Sequence, residues 1–291
     1  MLRTSVAVLR PSPTPGPTEH SPDLKGRWWP PPRLGPGGGE GKLASVVQAE
    51  VAPGIHRLSG GICNFYLIEQ DGKLVLVDAG APKDWRVLVA AVAALGRQPK
   101  DLDAILLTHA HPDHTGFAER ARASAGSTVW VHGNDVAAAR TGKTAESDGA
   151  LTTYLLHAEF YRTVISLVRR GAARIVPIRV VSSFSDGETI DVPGCPRAVH
   201  VPGHSPGSAA LLIEDRGVVL TGDTLVTRNP LTGRVGPQIM PSGLNADTDQ
   251  ALRSVAVFES LTARILLPGH GEPWTDGAAE AARLARAAGR S

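Results

Sequence analysis

Four potential metal ligands stand within six residues of the run LTHAHPDHTG: His109, His111, Asp113 and His114. Three imidazoles and a carboxylate this close together either stay hydrated or fold around a cation, because a buried, unpaired polar cluster is costly. The preceding residues, Ala104 to Leu107, read as a short buried strand. Side chains two apart on an extended segment face the same way, so His109 and His111 converge on one ion. Pro112 keeps His111 out of the α region. Asp113 and His114 follow where the chain turns into a helix, so they aim elsewhere, toward a second ion nearby. Spacing of this kind, at the carboxyl end of a strand, points to metal rather than to a polar loop.

Three later residues occupy similar settings. VHVPGHSPGS carries His204, VVLTGDTL carries Asp223 and ILLPGHGEP carries His270. Each follows a β-rich run and is flanked by glycine, which permits close backbone approach. Around them strands and helices alternate. NFYLIEQDGKLVLVDAG predicts a hairpin turning at Asp71-Gly72. A helix is predicted from Trp85 to Leu95, with Asp84 as N-cap and Gly96 as C-cap. Further helices are expected over 115–124, 147–172, 246–261 and 276–288, and strands at STVWVH, ETIDV, RAVHV, SAALLIE, VVLTGD and ARILLPG. The pattern fits two buried sheets covered by helices.

Together the LVDAG, THAHPDH, GHSPGS, TGDTL and PGHG segments, from about Gly60 to Pro273, resemble the metallo-β-lactamase fold superfamily. The resemblance implies an α/β fold: an αββα four-layer sandwich, two mixed β-sheets flanked by helices, with metals at one edge. It implies that His109, His111 and His204 hold one ion, that Asp113, His114 and His270 hold a second, and that Asp223 bridges both. Asp78, in LVDAG, matches a family aspartate that orients a ligand imidazole. The implied cofactors are two zinc ions, with iron or manganese as alternatives. The implied activity is hydrolysis of a small acyl substrate (ester, thioester or lactone) through a metal-bridging hydroxide, with Asp113 and Asp223 as the catalytic carboxylates.

Departures from subfamily patterns narrow the choice. Asp223 stands where β-lactamases of this fold lack a bridging aspartate. His111 replaces the glutamate of the di-iron flavoprotein relatives. Only 21 residues follow His270, and GHSPGS ends in Ser208, both unlike glyoxalase II-type thioesterases. No tyrosine follows Asp223, unlike quorum-signal lactonases. A metal-dependent phosphodiesterase or nuclease, and a mononuclear iron persulfide dioxygenase, are the competing readings.

The remaining chain is less informative. A net charge of +2 offers no electrostatic basis for nucleic-acid or membrane-surface binding. No apolar run approaches the roughly 20 residues that span a bilayer. Cys63 and Cys195 are read as reduced thiols in a cytoplasmic protein. In the 147–172 insertion, Tyr154, His157 and Tyr161 are spaced to share a helix face. They either line a substrate mouth or, as preferred, pack on the core or face solvent. Ile239 and Met240, in the Gly- and Pro-rich 225–245 loop, are candidates for an apolar wall. His20, His56, His132 and His200 are read as structural or surface histidines. Residues 1–45 are Pro- and Gly-rich and are expected to be a disordered extension to a domain spanning 46–291. A chain starting at Lys42 is therefore expected to fold and keep its metal; loss of metal or solubility on that truncation contradicts the reading.

Overall fold

The computed structural model describes residues 47–173 and 176–290. The expected extension over 1–45 lies outside the described residues. Thirteen strands form two sheets and a ribbon. The first sheet runs in chain order: β1 (Val47–Ala52), β2 (Ile55–Ser59), β3 (Asn64–Gln70), β4 (Lys73–Val77), β5 (Leu102–Leu106), β6 (Thr128–His132) and β7 (Val181–Phe184). β1 to β4 are antiparallel, and β4 to β7 are parallel. The β3–β4 hairpin turns at Asp71 and Gly72 with φ of 50° and 74°, as a tight turn with two left-handed residues requires.

The second part of the chain adds β8 (Arg197–His200), β9 (Ala209–Ile213), β10 (Val218–Gly222), the ribbon β11 (Val226–Arg228) with β12 (Val235–Gln238), and β13 (Ile265–Pro268). The second sheet has the order β13-β10-β9-β8. β10 is antiparallel to β9 but parallel to β13. The helices are α1 (Trp85–Ala94), α2 (Pro112–Thr115), α3 (Ala118–Ala125), α4 (Val136–Thr141), α5 (Ala158–Arg170), α6 (Thr248–Ser254) and α7 (Ala278–Ala288).

Burial divides into three apolar layers, which together make the αββα sandwich. Tyr66, Val75, Val77 and Leu106 of the first sheet meet Leu211, Ile213, Leu220 and Leu267 of the second. Alternate residues of the first sheet, such as Leu67, Leu76 and Ile105, pack against Leu88 of α1 and Ala121 of α3. The outer face of the second sheet, with Leu212, Val219 and Leu266, is covered by Ala251 of α6 and the alanines of α7. The small side chains of α7, Ala278, Ala281, Ala282 and Ala285, are fully buried and bring the helix close to the sheet.

Several elements differ from the sequence expectation. ETIDV is not a strand: it makes one isolated bridge, Thr189 with Arg197, before Pro193-Gly194 turns the chain. Val181–Phe184 is a strand instead, which its central serines concealed. Residues 147–172 hold a short 3-10 turn, Leu151–Tyr154, and then α5. The helix expected over 246–261 is α6 continued by a 3-10 segment, Val255–Ser260. Asp84 stands at the N-cap position of α1, but its side chain makes no capping bond there. It is buried, accepts from the Ala81 N–H at 2.9 Å and pairs with Arg170. Gly96 does end α1, with φ 71° and its N–H bonded to the Ala93 carbonyl.

Phe117, which joins α2 to α3, is 2% exposed and meets Phe65 and Trp85 edge-on, with centroids 5.4 and 6.0 Å away. It clamps the His109–His114 turn onto the first sheet. Phe117→Ala is expected to cost about 3–5 kcal/mol of stability in urea unfolding; a loss below about 1 kcal/mol would contradict the clamp.

Candidate metal centre

The candidate ligands and Asp78 all follow strand carboxyl ends. Asp78 follows β4, the His109–His114 run follows β5, His204 follows β8, Asp223 follows β10 and His270 follows β13. β4 and β5 are parallel, and so are β10 and β13; β8 shares their direction because β9 is antiparallel to both β8 and β10. The loops of each sheet thus emerge at one edge. Backbone bonds pin the two edges together: Ala209 N–H to the Thr108 carbonyl at 2.9 Å, and Asn64 N–H to the Gly269 carbonyl at 2.7 Å. Tyr66 adds its hydroxyl to the Pro268 carbonyl at 2.7 Å.

Two clusters result, one of His109, His111 and His204, the other of Asp113, His114, Asp223 and His270. His204 Nε2 lies 2.8 Å from His111 Nδ1 and 3.2 Å from His109 Nε2. Asp223 stands between the clusters. Its Oδ2 is 3.4 Å from His204 Nε2 and 3.1 Å from His270 Nε2, and its Oδ1 is 3.3 Å from His114 Nε2. Asp113 Oδ2 lies 3.6 Å from His270 Nε2. All but His111 and Asp113 are fully buried.

Surrounding hydrogen bonds decide which nitrogen of each ring faces inward. Asn245 donates Nδ2–H to the Met240 carbonyl at 2.7 Å, so its Oδ1 accepts the Nδ1–H of His204 at 3.1 Å. Thr108 donates its hydroxyl to Asp78 Oδ2, so its oxygen accepts the Nδ1–H of His109 at 3.0 Å. His114 gives Nδ1–H to Asp78 Oδ2 at 2.9 Å, and His270 gives its own to the Ile62 carbonyl at 2.8 Å. Four imidazoles therefore aim Nε2 into the centre, and His111 offers Nδ1. This is how metal-binding histidines are oriented by their outer partners.

The inward atoms suit cations. His114 Nε2 and Asp223 Oδ1 are buried facing each other at 3.3 Å, with no other hydrogen-bond partner. A tetrahedral zinc with Zn–N of about 2.0–2.1 Å separates its nitrogens by roughly 3.3 Å, close to the His109–His204 spacing. Burial holds His109 and His111 below the usual histidine range and His204 at about 3, with neighbouring imidazoles adding to the effect at His109 and His204. Neutral imidazole is the form a metal needs. In the second cluster burial is the largest single influence and would lower His114 and His270, but the carboxylates together outweigh it and raise both: Asp223, Asp78 and Asp113 at His114, and Asp223 with Asp113 at His270. Asp223 in turn lies well below the carboxylate range: burial opposes this, and the two histidines outweigh burial. Without metal that cluster attracts protons, which arriving cations displace.

Other histidines stay outside the centre. His56 pairs with Glu69 at 3.6 Å, and His132 and His200 stack at 4.0 Å; His20 lies outside the described residues. Cys63 and Cys195 are both free thiols. Burial pushes the Cys63 thiol well up, and it donates to the Asp113 carbonyl, so it is no thiolate ligand.

A cavity of about 440 Å³ opens over both clusters. Tyr154 and Tyr161 do not share a helix face. Tyr154 is buried in the 3-10 turn beside Ser242, whereas Tyr161 is exposed on α5 and donates to the Leu155 carbonyl. His157 is exposed too. Instead Phe160, Val164, Leu167 and Val168 of α5 line the cavity, with Met240 opposite; Ile239 is buried behind it.

Asp135 escaped the sequence reading. It is buried just after β6. Its Oδ2 accepts the Ala110 N–H at 3.0 Å and the Ser205 hydroxyl at 2.8 Å, and its Oδ1 accepts the Gly207 N–H at 2.7 Å. One carboxylate thus ties the His109–His111 segment to the loop of His204. Its position after a strand, like those of Asp223 and His270, was the available signal.

The arrangement defines a class: a histidine–carboxylate centre for divalent metal ions at the shared edge of an αββα sandwich. The chain belongs to the metallo-beta-lactamase superfamily, whose family model matches residues 58–270, and is a metal-dependent hydrolase. It is 27% identical to the probable metallo-hydrolase YflN of Bacillus subtilis (strain 168), over 80% of this chain and 89% of that protein. It is 26% identical to an atrochrysone carboxyl ACP thioesterase of Aspergillus fumigatus, over 75% of this chain and 53% of that protein. A metallo-beta-lactamase family protein from Thermus thermophilus superposes with a TM-score of 0.61 at 27% identity, covering 81% of this chain and 79% of that one. None of the described helices is long and apolar enough to cross a membrane.

Asp135→Asn puts an N–H donor where the carboxylate now accepts from three groups. It is expected to weaken the coupling of the two loops and to lower metal affinity about 10–100-fold. Competition with a chromophoric chelator reads this, and circular dichroism checks the fold. Unchanged affinity would show that the clamp does not position the ligands.

Proposed function

We propose that the protein is a dinuclear zinc hydrolase of a small acyl substrate: an ester, thioester or lactone. The observation that carries this reading is the inward set of nitrogen and carboxylate atoms, oriented by the protein and shared between two adjoining clusters. His109, His111 and His204 would hold one ion, and Asp113, His114 and His270 the other, with Asp223 between them. Bound there, two zinc ions would supply a hydroxide nucleophile near neutral pH, lowering the pKa of water from 15.7 towards about 7, and would polarise the acyl carbonyl.

The chain's own groups do the rest. Asp223 brings negative charge to the point where two cations repel most. Asp113, at the cavity wall, is the ligand carboxylate nearest to arriving substrate. Asp78 keeps the His114 proton on Nδ1 and so leaves Nε2 free. The likeness to a thioesterase supports the acyl reading. Among the described residues lining the cavity there is no lysine or arginine, which weighs against a phosphodiester substrate. Zinc, rather than iron, suits a centre with nitrogen and carboxylate donors and no redox partner in the reaction.

The intact protein is expected to bind about two equivalents of metal, and Asp223→Ala about one, with loss of most hydrolysis. Asp113→Ala is expected to deplete the second ion and spare the first. Elemental analysis, with a panel of esters, thioesters, lactones and phosphodiesters assayed in parallel, measures this. Full activity with both ions retained in Asp223→Ala would overturn the bridging role.

A further inference from the structure

We infer that the acyl part of the substrate is an extended apolar chain, bound along α5; this rests on the acyl-hydrolase reading above. The first observation is how α5 is held. Its fixed points are polar and lie at its ends and rim. Glu159 pairs with Arg228 at 2.7 Å, Thr163 donates to the Pro230 carbonyl at 2.6 Å, Arg170 pairs with Asp84, and Lys83 donates to the Arg169 carbonyl at 2.7 Å.

Its apolar side chains are not used in this way. No residue of α5 is fully buried, although Phe160, Val164, Leu167 and Val168 follow an i, i+4, i+7, i+8 pattern that ordinarily packs on a core. All four face the cavity instead. Val164 is 41% exposed and Val168 is 59% exposed. An amphipathic helix anchored by ions, with its apolar stripe over open space, leaves that stripe to a ligand.

The second observation is the opposite wall. Leu231 and Met240 are 3% and 2% exposed and belong to the body of the domain. Between them and α5 lies a slot that ends at His111, Asp113, His204, Asp223 and His270. Among the described residues its charged groups are all at the metal end. A carbonyl at the metals therefore leaves its attached chain between two apolar walls. Among the described residues no lysine or arginine lines the slot, and away from the metal end its polar side chains are only the hydroxyls of Thr144, Ser147 and Thr163, so burying an anion there would be unfavourable. The volume, about 440 Å³, falls within the range of small-molecule sites.

Two measurements separate this inference from the reading beneath it. The first is hydrolysis of p-nitrophenyl esters from acetate to decanoate by the zinc-loaded full chain. The second is calorimetric binding of butyrate, octanoate and decanoate to the same protein. The ratio kcat/KM is expected to rise about fourfold per added methylene over the middle of the series. Val164→Asp with Val168→Asp is expected to lower the decanoate-to-acetate ratio at least tenfold with two metal ions retained. Val164→Asn with Val168→Asn is expected to do the same more weakly, and it guards against helix loss in the charged pair. A flat series with active acetate hydrolysis overturns the inference and leaves the hydrolase reading standing. No ester hydrolysis, with decanoate bound at least tenfold more tightly than butyrate and released in the variants, overturns the hydrolase reading and supports the apolar slot. Equal binding of all three carboxylates overturns the inference.

Discussion

The centre depends on the placement of four protons. His109, His114, His204 and His270 each give Nδ1–H to a fixed acceptor, and each therefore turns Nε2 toward the same small volume. Lone pairs pointing at one another repel unless a cation lies between them. The acceptors are themselves held: Thr108 by Asp78, and Asn245 by the Met240 carbonyl. Asp78 is the densest of these nodes, since it also accepts the Thr108 N–H at 2.9 Å. It adopts φ 60°, an uncommon conformation for a non-glycine residue, and so turns the chain from β4 back toward the metal edge.

A set of this precision needs rigid supports, and the sheets provide them. Two parallel pairs, β4–β5 and β10–β13, send their carboxyl ends to one edge. Bonds between the sheets at Thr108–Ala209 and Asn64–Gly269 fix the separation of the loops. Gly269 shows how tight the packing is: a Cβ there would lie 2.1 Å from Asp223 Oδ1 and 2.9 Å from the His114 ring. Gly222 is equally constrained, with φ 51° and a Cβ position 2.4 Å from the Thr108 hydroxyl. The first glycine of PGHG is thus required by the approach of the candidate ligands themselves, and that of TGDTL by the approach of Thr108, which orients one of them.

The substrate side is built differently. The metal edge is buried, polar and interlocked, whereas α5 stands over the cavity on a few ion pairs and backbone contacts. The Glu159–Arg228 pair is partly exposed and screened by solvent, whereas Arg170 reaches the buried Asp84.

Much of the centre was legible in the chain because metal chemistry restricts residue type. Few side chains bind divalent ions, so a His-x-His-x-Asp-His run after a strand, followed by three glycine-flanked ligands, points to metal before any fold is known. The hairpin at Asp71-Gly72 and the end of α1 at Gly96 were equally readable, because positive φ is demanded locally. Tertiary structure alone decided the rest. Asp135 joins two loops 70 residues apart, and its place after a strand, the one local signal, does not reveal those partners. Asp84 reads as a helix cap but pairs with Arg170, 86 positions away. Tyr154 and Tyr161 share a face only if a helix runs unbroken through what is a 3-10 turn. Which residues of α5 face the metals depends on how that helix is hung above the sheets. Composition and periodicity record what a segment prefers by itself; ligand tautomers, inter-loop clamps and cavity walls come from neighbours brought together by the fold.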